Sequence, residues 1–504
     1  DTVVEQVQAV DNEVQEIETA TETQAESTQR VSSAVEAVDE IGAETAADAS
    51  VAAEATREQT TELAEVSTQV ATLSERAATL SAELDQYDTT GESPPSSATG
   101  EETAQVTFWH AMSGETALTL ESFAREFEST TAGVEIELVS KGNYRATFDA
   151  TLRAAERGEP PALAQLFEIG MTRARESGAF RPAGELLSSS HVDSLLDPAV
   201  NYYRYGGRLH SVPFNVSNPV LAYDTDAFAA AGLDPERPPA TFAEVERAAR
   251  QLVTEGPTEY GITFANYGWF VEQWFAQADE PLVEPANGRE GPATTANTDG
   301  FAHDLFDWWV GLEADGLYYN PGTEARGAAR EAFHDREAAM LIGSTSSLPA
   351  IQSGADFGVG VGQLPVRERR TGVLVGGASL WVGGGHPEPV TAAAGEFLEW
   401  LTRPEQQRRW FQATGYLPVH EGVLPELRAD DWFETNPGYE TALEQLAETT
   451  DTVATRGAQV ARADDVRTVI EEGFERAETR ADVPQMLDRV GEEIESVLRD
   501  QPTG

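Results

Sequence analysis

The hydrophobic positions change period near residue 88. From Val3 to Tyr87 a strict heptad puts Val3, Val7, Val10, Val14 and Ile17, and farther on Leu63, Val66, Val70, Leu73, Leu80 and Leu84, on one a/d seam without a stutter. Twelve unbroken heptads predict a coiled-coil helix over 1–88, a rod of roughly 130 Å. Such a helix does not bury its seam alone, so self-association or pairing with another helix is expected. The seam turns polar at Thr21, Gln24 and Thr28 and again at Thr56 and Gln59, and small from Gly42 to Ala52, which weakens its packing there. Residues 89–105 are rich in Pro, Gly, Ser and Thr, lack apolar periodicity, and predict a flexible linker.

From Val106 short apolar runs (VTFWH, VEIELVS, ALAQLF, LAYD, GITFA, GVGVGQLP, SLWVGG) alternate with helical stretches (GETALTLESFAREFEST, FDATLRAAERG, FAEVERAARQLVTEG, AAGEFLEWLTRPEQQRRWFQATG). That alternation predicts an α/β fold, and its length predicts a two-lobed domain over 106–504 with hinge crossovers.

Charge changes the picture of the surroundings. Against 87 Asp+Glu stand 34 Lys+Arg, a net charge of -53, which excludes nucleic acid and anionic membranes as direct partners. Lys141 is the only lysine. We read the acidic helix faces as a halophile surface, with a haloarchaeon the expected source; in multimolar salt the Debye length falls to about 3 Å and the self-repulsion is screened. Zero Cys excludes disulfides, thiol nucleophiles, cysteine metal sites and a lipobox anchor. No window approaches 18 uninterrupted apolar residues, so no transmembrane helix is expected, and a chain that opens on Asp1 leaves its leader and anchoring open.

Candidate chemistry is sparse. The seven His are scattered with no HExxH pair, and GVGVG at 358–362 lacks dinucleotide spacing and reads as a strand. Neither a Walker-A run nor a GxSxG elbow occurs. Glu168 beside an apolar strand is a candidate half of a glycosidase pair, yet no motif fixes a second acid. What recurs instead is a polar or aromatic residue on a turn after a strand, where open α/β sheets take ligands. The expected class is binding: no enzyme, no cofactor, no metal.

The runs VTFWHAMSGE, KGNYRATF, AQLFEIG, PFNVSNPVLAYDTDAFAAAGLDPERPP, GGASLWV, TRPEQQRRWFQATGYLPV and DDVRTVIEEGFE, in this order from Val106 to about Leu498, resemble the substrate-binding proteins of ABC importers, family 1, and within them the glycerol-phosphate-binding branch. The resemblance implies a periplasmic-binding-protein-like (type II) fold, ABC permease transmembrane subunits as partners, and a place on the extracellular face of the membrane. It implies that Tyr144, Glu168 and Ser217 face glycerol hydroxyls, Glu168 being able to accept two of them. The phosphate end it implies is Ser344, Gly377, Tyr416 and Arg467: an exposed backbone N–H, two hydroxyls and a charged guanidinium fork. Pairing of Arg467 with Asp464 or Glu471 at the surface is the bland alternative. Where the family presents a stacking Trp the chain reads ANYGW, so Asn266 takes that place, Trp269 matches, and Tyr267 is the candidate to compensate. A wall lost there widens the glycerol end, which leaves sn-glycerol 3-phosphate and a glycerophosphodiester such as glycerophosphocholine both open.

Two alternatives stand beside this reading. One is an oligosaccharide-binding receptor of the same family. The other is a chemosensory ligand sensor, because EATREQTTELAEVSTQVATLSERAATLSAELDQY (54–87) resembles the distal signalling coil of haloarchaeal chemoreceptors, although a plain spacer coil fits that segment equally. For the coil itself, sedimentation of a peptide covering 1–88 in multimolar salt is expected to give an oligomer, or a helix once a partner is supplied. A structureless monomer under all conditions contradicts the seam.

Overall fold

The computed structural model describes residues 103–499; the coil expected over 1–88 and most of the linker expected over 89–105 lie outside the described residues. The first strand starts at Ala104, two residues before the expected domain start.

Two mixed sheets organise the chain. The first is built from β1 (Ala104–His110), β2 (Val134–Ser140), β3 (Leu163–Phe167), β4 (Phe180–Arg181) and β5 (Val212–Ser217). The chain then forms a second sheet from β6 (Pro219–Asp224), β7 (Ile262–Thr263), β8 (Tyr318–Tyr319), β9 (Met340–Ser344) and β10 (Val359–Gln363), and returns to the first with β11 (Gly376–Gly383). The strand orders are β2-β1-β3-β11-β4, with β5 also paired to β11, and β8-β7-β9-β6-β10. Parallel pairs β1/β2 and β1/β3 give way to an antiparallel β3/β11 pair in one sheet, and parallel β7/β9 to antiparallel β6/β9 in the other. Strands β5 and β6 are buried along their whole length, as a sheet covered on both faces requires.

Each sheet carries its own core. Phe108, Phe123, Trp381, Phe397 and Trp410 belong to the first lobe, and Phe264, Trp274, Trp309 and Phe474 to the second. Around them pack α1 (Gly114–Thr130), α2 (Tyr144–Glu156), α3 (Phe242–Glu255), α4 (Gly268–Ala278), α5 (Glu388–Leu401), α6 (Pro404–Thr414), α7 (Pro437–Ala447) and α8 (Ala463–Phe474). Local chemistry sets their ends. The Asn143 side chain accepts from the Ala146 N–H at 2.9 Å, so α2 starts at Tyr144, four residues ahead of the expected Phe148. Thr241 and Glu244 close a reciprocal capping box on α3. The helical stretch expected over 393–415 is two helices, because Pro404 lacks an N–H and forces Arg403 into an extended conformation (φ -67°, ψ 154°).

Between lobes the chain crosses three times: at Asn218, between β10 and β11, and between α7 and α8. Buried amides hold these crossings. The backbone carbonyl of Asn218 accepts the Thr345 N–H at 2.9 Å, and its side-chain Nδ2 donates to the Ala442 carbonyl at 3.0 Å. Gln445 accepts the Leu364 N–H at 2.7 Å and donates to the Pro219 carbonyl at 2.8 Å, tying two crossings to α7. Gln273 pairs in both directions with the backbone of Leu374. Replacing Gln445 with Ala strands a buried N–H and a buried carbonyl together, so equilibrium denaturation is expected to show a loss of about 2 to 4 kcal/mol.

Candidate ligand-binding site

Strand ends and helix starts converge on one cleft of about 700 Å³. From the first lobe, β3 runs directly into a short turn that carries Glu168, Tyr144 opens α2, and Ser217 closes β5. Gly377 is the second residue of β11, and Gly415, in the left-handed region (φ 73°), ends α6 and turns the chain into Tyr416. From the second lobe come Trp269 in the first turn of α4, Ser344 at the end of β9, and Arg467 on α8. All eight residues line this one cleft.

Arg467 is its electrostatic centre. Its side chain is 6% exposed and does not pair at the surface with Asp464 or Glu471. Instead its Nε and Nη2 grip both oxygens of Glu272 at 2.8 and 2.7 Å, and Nη2 also reaches Glu168 Oε1 across the lobes at 3.0 Å. Burial works against the guanidinium, but the charges of Glu272 and Glu168 outweigh it and hold Arg467 protonated well beyond the usual range. Gly268 permits this packing, since a Cβ there would meet Arg467 Cβ at 2.7 Å. Among the described residues Nη1 of Arg467 makes no hydrogen bond, and the residue lines the cleft.

Asp464 is engaged elsewhere, with Arg145 of α2 at 2.5 Å, and Glu471 accepts the Gly268 N–H at 2.7 Å. A second network runs through the first lobe. The Tyr144 and Tyr416 hydroxyls are 3.1 Å apart, Asn215 Nδ2 donates to Tyr144 at 2.6 Å, and Gln165 donates to Asn215 at 2.7 Å. Gly377 has φ 96°, and any Cβ there would lie 1.9 Å from the Asn215 carbonyl, so only glycine brings this backbone so close. The indole N–H of Trp269 is buried without a partner among the described residues.

Two contacts join the expected hydroxyl end (Tyr144, Glu168, Ser217) to the expected phosphate end (Ser344, Gly377, Tyr416, Arg467): Tyr144 touches Tyr416 and Glu168 touches Arg467. A buried guanidinium requires counter-charges, and Glu168 supplies one of them. Asn266 does not line the cleft: its amide donates to the Glu471 carbonyl and to Glu475, both at 2.8 Å. Tyr267 does line it, with its ring centroid 6.1 Å from that of Trp269.

Glu272 carries the guanidinium and was missed in the sequence. Its signal was present: one acid inside GWFVEQWFAQA, a stretch otherwise uncharged and mostly apolar, foretells a buried charge in need of a partner. In charge the cleft departs from the chain as a whole, with Arg145, Arg326, Arg330 and Arg467 facing Glu168, Glu324, Asp464 and Glu471. Just ahead of α2, the Lys141 ammonium sits 3.8 Å over the Trp109 ring.

Residues 122–441 match the family described as bacterial extracellular solute-binding protein. The chain belongs to this family. It is an ABC-transporter solute-binding protein related to UgpB. The sn-glycerol-3-phosphate-binding periplasmic protein UgpB of Pectobacterium atrosepticum is 31% identical over 418 residues, which cover 80% of this chain and 93% of the relative. That of Escherichia coli is 30% identical over 409 residues, 78% and 92% of the two chains. Among solved structures, the cyclic alpha-maltosyl-1,6-maltose binding protein of Arthrobacter globiformis superposes with a TM-score of 0.68 at 20% identity, covering 79% of this chain and 99% of its own. UgpB of Mycobacterium tuberculosis in complex with glycerophosphocholine gives 0.64 at 21% identity, covering 79% and 98%. These two likenesses confirm the two-lobed α/β fold. Among the described residues of this solute-binding protein no helix is long and apolar enough to cross a membrane.

Burial pushes the Glu168 carboxyl up against the pull of Arg467, the Tyr267 phenol to about 12, and the Glu471 carboxyl to about 7. Folded Glu471 therefore keeps its proton up to about pH 7, whereas the unfolded group releases it near 4.5. Its contribution to stability is fully present below pH 4.5 and is lost as pH rises through about 7. Glu471→Gln keeps an acceptor for Gly268 and removes the titration, so melting temperatures between pH 5 and 8 are expected to fall less for the variant than for the wild type.

Proposed function

We propose that this solute-binding protein captures sn-glycerol 3-phosphate or a glycerophosphodiester between its lobes and delivers it to an ABC permease. The observation that carries the reading is the unspent Nη1 edge of Arg467 on the cleft wall, a permanent charge whose other donors are held by Glu272 and Glu168. Arg467 and the hydroxyls of Ser344 and Tyr416 act as donors to phosphate oxygens, and the backbone N–H of Gly377 joins them. Glu168 and Ser217, with Tyr144, take the hydroxyls of the glycerol unit, and Trp269 with Tyr267 walls its carbons. Because Glu168 already touches Arg467, a bound phosphate and a bound diol would be read by groups in contact with one another, which suits a ligand as short as glycerol phosphate. The names of the UgpB relatives support the same class. Asn266, turned toward α8, supplies no stacking wall, and that favours a cleft wide enough for a diester.

A sugar-binding reading has one observation in its favour, the aromatic wall of Tyr267, Trp269 and Phe270. Calorimetry in multimolar KCl separates the two. One-to-one binding of glycerol 3-phosphate or glycerophosphocholine is expected; heat from maltose and from neither phosphate overturns the reading. Ser344→Ala is expected to weaken the phosphate ligand about tenfold with an unchanged melting temperature. Arg467→Ala is expected to cost about 3 kcal/mol of binding or more.

A further inference from the structure

A second sign reversal lies at the third crossover, in a recess that shares no lining residue with the cleft. A recess of about 290 Å³ is lined by Arg204, Arg289 and Arg456, together with Asn201, Tyr205 and the Gly206–Gly207 turn, and no acid lines it. The three arginines come from different bodies. Arg204 belongs to the first lobe and Arg289 to the second, and Arg456 lies on the segment that joins α7 to α8.

Arg289 is held entirely by carbonyls. It donates to Gly457 at 2.8 Å, to Arg204 at 3.0 Å, to Tyr202 at 3.2 Å and to Arg456, and it forms no salt bridge among the described residues. Burial draws its pKa down to about 10, the mark of a cation short of counter-charge. Arg456 spends Nε and Nη2 on the two oxygens of Asp451, both at 2.6 Å, which leaves Nη1 without a hydrogen bond among the described residues. The Arg204 side chain makes no hydrogen bond or salt bridge among the described residues. Asp451 thus pairs with Arg456 alone, and among the described residues no acid pairs with Arg204 or Arg289, in a chain where acids outnumber Lys+Arg by 87 to 34.

We infer that this recess is an anion site, independent of the ligand cleft, that binds a small tetrahedral oxyanion of the phosphate or sulfate class. Planar guanidinium forks match such an ion better than a spherical halide. An ion held there supplies the counter-charge that Arg289 lacks and bridges both lobes at a hinge.

The test compares wild type with Arg204→Gln by thermal melting, titrating inorganic phosphate and, separately, sulfate at constant KCl and constant total ionic strength. Arg204 has no protein partner to lose, so the variant is expected to fold and to bind the cleft ligand as the wild type does. A saturable rise of about 3 °C in the wild type is expected, lost in Arg204→Gln and largely kept in Arg204→Lys. Equal shifts in wild type and Arg204→Gln would place the anion elsewhere, in the cleft included, and overturn the inference. No shift in either protein overturns it as well. Neither result bears on glycerol phosphate binding, which calorimetry measures separately.

Discussion

A guanidinium that is 6% exposed must be paired, and the cleft is arranged around that requirement. Glu272 meets it from within the second lobe with a two-pronged grip, which fixes the rotation of the Arg467 fork and leaves one nitrogen over. Glu168 meets it from the first lobe, so a single charged group ties together the floors of both sheets. Gly268 is fixed by the same packing, and through the Gly268 N–H so is Glu471. Removing the charge would therefore disturb far more than one contact.

Hinge geometry follows a similar rule with neutral groups. Three chain crossings leave backbone donors and acceptors that neither sheet can satisfy, and side-chain amides satisfy them. Asn218, Gln273 and Gln445 each pair with backbone that belongs to another crossing or lobe. Such amides tie the crossings together while leaving each lobe its own core.

Much of this was legible along the chain. The apolar runs became β1, β2 and β3, the Gly-rich run became β10, and the residues implied by the family resemblance line one cleft. Legibility failed where the third dimension decides. That Tyr144 meets Tyr416 and Glu168 meets Arg467 depends on how the lobes face each other, and no local pattern encodes it. Asn266 stood where the resemblance expected a cleft wall, yet its amide found better partners on α8. Glu272 and the break at Pro404 are different, because an acid in an apolar stretch and a proline inside a helical pattern are both readable signals. The heptad seam before residue 89 belongs to a part of the chain outside the described residues.

The placement of Lys141 has a practical side. A chain of 504 residues that carries its basic charge on arginine offers amine-directed reagents one side chain, and it stands three residues ahead of Tyr144 on the loop that leads into the cleft. Its ammonium rests on the Trp109 ring, so a fluorophore or cross-linker attached there would sit against an indole. The sequence thus carries a native side-chain amine for labelling beside the cleft, without any engineered cysteine.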